Sequence, residues 1–172
     1  MEQNGPKTGK YALTYGGLLG IVGVVFSVMI YMMDMLYEQS PVQSIIGILA
    51  ALVIIFVGVK TFKKDNEGFL TVKEAIKIGS GAGVIAALIS IVYLLILANV
   101  IEPDFWDKSY EIGRQTIIDT YPQMSDEQVD QAIETQKSMK WITYPMMIIM
   151  NTLLGLIIGL LSGVILKKKR EE

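Results

Sequence analysis

Lys60-Thr-Phe-Lys-Lys-Asp-Asn-Glu-Gly-Phe-Leu-Thr-Val-Lys-Glu-Ala-Ile-Lys-Ile-Gly79 is a short basic stretch set between two long apolar runs. Lys and Arg close to membrane-crossing helices are retained on the cytoplasmic side. If this stretch is a hairpin joining two such helices, its side of the membrane fixes the side of every other segment. The apolar runs must therefore be long enough to cross.

Charged residues are absent from Tyr11–Met33, Val42–Val59, Ile78–Ile101 and Trp141–Leu166, runs of 23, 18, 24 and 26 residues in a chain of 172 that is 52% apolar. A helix needs ~20 predominantly apolar residues to cross ~30 Å of hydrocarbon. A core helix of a soluble bundle would carry a polar stripe, and none of the four does. The expected fold is all-α, a single 1–172 integral membrane four-helix bundle. Spans are expected at about 11–33, 42–59, 78–101 and 141–166, with a cytoplasmic hairpin at 60–77. A small extracytoplasmic helical hairpin, at 102–140, caps the bundle between spans three and four.

Local signals sharpen these boundaries. The first run exceeds the ~7–15 residues of a signal-peptide core, and no small-x-small cleavage site follows it, so it reads as an uncleaved span. Pro41 suits the first turn of a helix. Asp65–Gly68 reads as a turn, with Gly68 available for positive φ. Thr71 and Glu74 have capping-box spacing, so the third helix starts ahead of its apolar run, with Lys73 and Lys77 sharing an interfacial face. In the 102–140 segment, Trp106, Tyr110, Gly113, Ile117 and Tyr121 fall on one helical face, and Tyr121-Pro122 ends that helix. Ser125 and Gln128 then open a second helix carrying Val129, Ala132, Ile133 and Met139. Trp141 and Tyr144 suit the membrane interface. Lys167–Arg170 reads as a stop-transfer signal.

With four crossings, the N-terminal tail, basic hairpin and C-terminal tail share one side. That side holds 11 of the basic residues and the other holds 4; the acids divide 6 to 11 in the opposite sense. This places both termini in the cytoplasm of a multi-pass inner-membrane protein.

Chemistry is constrained mainly by what is missing. There is no cysteine and no histidine. That removes disulfides, the usual zinc and haem ligands, and nucleophile–imidazole pairs. No ionisable side chain lies within a span, which disfavours proton-coupled transport. Asp104, Asp107 and Glu111 lack the looped oxygen geometry of a calcium site. Gly79-Ser-Gly-Ala-Gly83 lacks the strand a dinucleotide turn needs. No catalytic constellation, cofactor site, metal site or nucleic-acid platform is expected.

Glycine is what distinguishes the spans. Gly155, Gly159 and Gly163 recur every four residues, and Gly16 and Gly20, then Gly79 and Gly83, repeat the spacing. Small-xxx-small ladders allow close helix packing. The ladder on the last span has run one, run three or a second copy of itself as its partner. The most polar span residues are Asn99 and Asn151, which with Tyr93 form the candidate pocket of the rival reading, a small-solute transporter or transporter subunit.

Gly68–Gly79, the glycine-rich first span after a short basic tail, the Ile101-Glu-Pro-Asp-Phe105 junction and the acidic segment before the last span together resemble the domain-of-unknown-function 4199 family of bacterial membrane proteins. The resemblance covers nearly the whole chain. It implies a four-span membrane protein and carries over no activity, substrate or catalytic residue. The combined expectation is a non-enzymatic accessory protein whose partners are the lipid bilayer and a second copy or another membrane protein.

Overall fold

A computed structural model describes residues 5–38 and 40–169. Arg170 of the basic C-terminal tetrad and the first four residues of the N-terminal tail lie outside the described residues. Six α-helices follow in order: α1 (Thr8–Met32), α2 (Pro41–Asp65), α3 (Val72–Ile96), α4 (Phe105–Thr120), α5 (Asp126–Ser138) and α6 (Thr143–Leu166). A π turn, Leu97–Ile101, prolongs α3, and a 3-10 turn, Lys140–Ile142, leads into α6. The chain is all-α, and α1, α2, α3 with its π turn, and α6 with its 3-10 turn are each long and apolar enough to cross a membrane.

Helix ends fall where side chains can satisfy exposed backbone groups. Pro41 occupies the first turn of α2, where its missing N–H is harmless. The Thr71 hydroxyl accepts from the Glu74 N–H (3.2 Å), and the Glu74 carboxylate accepts from the Thr71 N–H (2.8 Å), which starts α3 before its uncharged run. Ser125 and Gln128 repeat the exchange at α5. The turn after α2 holds Glu67 and Gly68 at φ 56° and 83°, and the glycine takes the latter without strain.

The buried faces of α3 and α6 are built mainly from small residues. On α3 these are Ala75, Gly79, Ala82, Gly83, Ala86 and Ala87, with Ile78 among them. α6 presents Gly155, Gly159, Ser162 and Gly163 around Ile158. Large apolar side chains point outward: Ile21, Val53, Val92, Ile157 and Ile165 are exposed. Lipid tails are as apolar as leucine, so burying large side chains gains little there, whereas close backbone approach gains dispersion contact.

Ladder geometry follows from this. A Cβ on Gly79 would run into the Gly155 carbonyl and lie 2.9 Å from the Gly159 Cα. One on Gly83 would meet the Asn151 backbone, and one on Gly159 would lie 2.6 Å from the Ala75 carbonyl. The ladder of α6 therefore seats on α3. Gly16 and Gly20 meet the opposite side of α3, at Ala82 and Ile89. Helix α3 is thus central, with α1 and α6 against it in the most extensive contacts of the fold, and α2 is peripheral.

The two ends of the bundle differ. At the end holding the tails and the 60–79 hairpin, Tyr11, Ile55, Val59, Phe62, Leu70 and Ile78 form one buried cluster. The Tyr11 ring meets Phe62 edge-on at 5.2 Å, and its hydroxyl donates to Asp65 (2.6 Å). Tyr15 packs on Gly58 and donates to Thr61 (2.9 Å), so both tyrosines fasten α1 to α2. Leu70 and Lys168 exchange backbone hydrogen bonds of 2.9 and 3.0 Å, which ties the segment after α6 to the hairpin. At the opposite, cap end, α2 has no buried residue from Pro41 to Ala50.

Gly159→Leu is expected to prevent the bundle from closing, because its Cβ faces backbone that cannot swing aside. Overpacking of this kind costs about 1–3 kcal/mol or more. Gly23→Leu, with nothing within 4 Å of its Cβ, is expected to be tolerated. Thermal unfolding of the two variants in detergent checks the contrast.

Candidate functional site

At the cap end, α1 and α3 diverge above the Gly20–Ile89 contact and leave a cavity of about 260 Å³. Gly23 and Ser27 of α1, Ser90 and Tyr93 of α3, and Met147 of α6 form its walls, and Leu36 and Phe105 reach over it. Gly23 widens it by having no side chain. The Tyr93 hydroxyl is buried and has no hydrogen-bond partner among the described residues. An unsatisfied buried hydroxyl costs roughly 1–3 kcal/mol, so this group has a standing demand for a ligand or water. The volume is just under the ~300 Å³ at which drug-sized ligand sites begin, which suits a small solute or a few waters.

Above the cavity, Glu102 is the hub of a polar cluster. The π turn ends there, with the Glu102 N–H donating to the Leu97 carbonyl (2.7 Å). Its carboxylate accepts from the Tyr37 hydroxyl (3.4 Å) and pairs with Lys108. The hydrogen bond from Lys108 holds Glu102 below the usual carboxylate range, with the Tyr37 and Tyr31 hydroxyls acting in the same sense, and it raises Lys108 in turn. Burial pushes the Tyr37 phenol up, aided by the Glu102 charge. Aromatic rings extend the cluster across the cap: Tyr37 lies 6.2 Å from Phe105, Phe105 meets Trp106 edge-on at 5.2 Å, and Trp106 stacks on Tyr110 at 6.1 Å. Lys140, just before α6, sits 5.5 Å over Trp106. One cluster therefore joins the α1–α2 loop, the end of α3, α4 and the approach to α6.

Helices α4 and α5 hold each other through Arg114, whose guanidinium lies 3.0 Å from Asp130 and 3.7 Å from Asp126. Val129 and Ile133 are buried, whereas Met139 and Tyr121, assigned to the same apolar faces by periodicity, are exposed. Among the described residues no group of three Asp or Glu side chains is placed to hold a metal ion.

The three residues of the sequence-derived polar pocket are not brought together. Asn99, on the π turn, is exposed and donates to the Leu95 carbonyl (2.7 Å). Asn151 donates to the Met147 carbonyl (2.9 Å), so each amide has an N–H bonded within its own helix. Neither lines the cavity at Tyr93, whose polar neighbours are Ser27 and Ser90. Apart from the Ile101–Phe105 junction and the periodicity of Trp106 and Tyr110, the Glu102 cluster gave no sequence signal, because its members come from four separate segments.

The family described as protein of unknown function (DUF4199) matches residues 14–168, and the chain belongs to it. No curated protein and no solved structure matches the chain.

Glu102 lies below its ordinary value, so what it contributes is present above the unfolded carboxylate range, about pH 4.3, and is lost as pH falls through the folded value. Lys108 lies above its ordinary value, so its contribution is present below about pH 10.4 and is lost as pH rises through the folded value. Between these limits the cap stays latched to α3. In a Trp141→Phe background, Trp106 fluorescence is expected to show an acid transition below pH 4.3 that Glu102→Gln abolishes by giving the released state at neutral pH.

Proposed function

We propose that this DUF4199 member is a multi-pass protein of the bacterial inner membrane that holds a membrane partner and is not an enzyme. In this reading both termini and the 60–79 hairpin are cytoplasmic, and the α4–α5 cap is outside. The 11-to-4 division of basic residues supports the orientation. A single domain over 1–172, with the cap as part of it, accords with the latch at Glu102.

The observation that carries the partner reading is the free half of α2. Val42, Ile45, Ile48 and Leu49 are between 48% and 59% exposed and, at i, i+3, i+6 and i+7, share one broad face of the helix. Gly47 among them has nothing within 4 Å of its Cβ position. A half-helix with an uncovered apolar face and an open glycine offers another helix a surface for close approach. The glycines of α3 and α6 do not serve this purpose, since they face each other.

The second reading, a small-solute transporter or transporter subunit, is favoured by the cavity beneath the cap and the unpartnered Tyr93 hydroxyl. Below that cavity, Gly20 against Ile89 and Gly83 against Asn151 leave no room for a side chain. The cavity thus suits binding better than passage.

With no native cysteine, Ile45→Cys and Leu49→Cys report on α2 without background. Oxidation in native membranes is expected to crosslink them to a second copy or another protein, while Leu153→Cys on α6 stays uncrosslinked. Absence of adducts from both α2 positions overturns the partner reading. For orientation, Tyr121→Cys is expected to react with an impermeant maleimide from outside, and Lys63→Cys only after the membrane is opened.

A further inference from the structure

The cavity between the hairpin ends of α2 and α6 has about 430 Å³ of space and mixed walls. Val57 and Leu166 form its apolar part; Lys60, Lys63 and Lys64 of α2 bring three cations to it, with Thr61 between them and Gly68 from the turn. Positions 57, 60, 61 and 64 follow helical spacing, so one face of α2 passes from hydrocarbon-compatible to cationic within two turns. Among the described residues none of the three lysines forms an ion pair. Of the acids at this end, Asp65 accepts from the Tyr11 hydroxyl, Glu74 closes the α3 cap, and Glu67, beside Gly68, is also engaged.

Basic residues at a helix C-terminus offset its dipole, and Lys63 and Lys64 in the last turn of α2 do so. That role does not require a cavity, nor Lys60 one turn earlier. Lys73 and Lys77 of α3 carry the same charge at the same end of the bundle without lining the cavity.

We infer that this cavity is a headgroup site for an anionic phospholipid, with Lys60, Lys63 and Lys64 on the phosphate and Val57 and Leu166 against the root of the acyl chains. Chemistry of this kind recurs where basic side chains meet spanning helices at the cytoplasmic leaflet. The apolar wall selects a lipid over a soluble anion: Val57 is 44% exposed and continues the outward face of Val53, at 57%. Long lysine side chains reach the headgroup level from within the span boundary. The inference rests on the chain spanning a bilayer.

Native mass spectrometry of the full chain, released from detergent with added phosphatidylglycerol or phosphatidylcholine, tests the site. Retention of phosphatidylglycerol over phosphatidylcholine is expected. The variant Lys60→Gln/Lys63→Gln/Lys64→Gln is expected to lower that retention about tenfold or more, since each cation near an anionic surface matters measurably. Lys73→Gln/Lys77→Gln is expected to change it little, and the triple Lys→Arg variant to keep it. Equal retention of the two lipids, an equal loss in the Lys73/Lys77 variant, or displacement of the lipid by millimolar inorganic phosphate or an acidic peptide overturns the proposal. Circular dichroism separates loss of the site from loss of the fold. Failure of the purified chain to float with vesicles would instead count against the membrane reading itself.

Discussion

Direct backbone contact between α3 and α6 is the constraint on which the rest of this structure depends. In hydrocarbon, two apolar helices gain nothing by hiding large side chains from a solvent that resembles them. They gain by approaching closely, and approach is limited by the largest atom group between them. Gly79, Gly83, Gly155, Gly159 and Gly163 reduce that limit to backbone atoms. Such closeness permits many weak attractions, Cα–H to carbonyl contacts among them. It also leaves no tolerance at Gly79, Gly83, Gly155 and Gly159, where an added Cβ would meet neighbouring backbone.

Fixing α3 against α6 leaves the other side of α3 for α1, and α1 uses smaller resources there. Gly16 and Gly20 bring it close near the middle, but Gly23 meets nothing, and the helices part. The divergence creates the cavity under the cap. Its roof is polar and aromatic because it sits where lipid gives way to water, and Glu102 can be ionised there. Helix α2 is attached through Tyr11, Tyr15 and the cluster around Phe62 at one end only. The resulting molecule is tight at the hairpin and loose at the cap, and its candidate binding features follow that gradient.

Much of this was legible in the sequence for direct physical reasons. Four uncharged runs have one economical explanation, and the Thr71–Glu74 and Ser125–Gln128 spacings mark helix starts because capping is local. The glycine ladders announced close contact but not with whom, since a four-residue repeat describes one helix face and says nothing about what lies opposite. Tyr11–Asp65, Leu70–Lys168 and Tyr37–Glu102–Lys108 were invisible for a related reason: each joins segments far apart in sequence through residue types common at any interface. Asn99 and Asn151 drew attention as pocket residues because they are the most polar side chains in the spans. A polar side chain in a span is satisfied most cheaply by the carbonyl one turn before it, and both asparagines take that partner.

The pairing of Leu70 with Lys168 has a consequence for how the protein is made. Residue 70 leaves the ribosome long before residue 168, and α3 enters the bilayer well before α6 exists. During that interval α3 has only α1 and α2 to meet, and the Gly79–Gly83 face that α6 will cover is lined by lipid. The bundle is completed when the final helix displaces that lipid, and the two hydrogen bonds at Leu70 then hold the late arrival in register. A nascent chain stalled before α6 would expose a seam shaped for a glycine-rich helix, which makes this stage of synthesis the one most open to capture by the wrong neighbour.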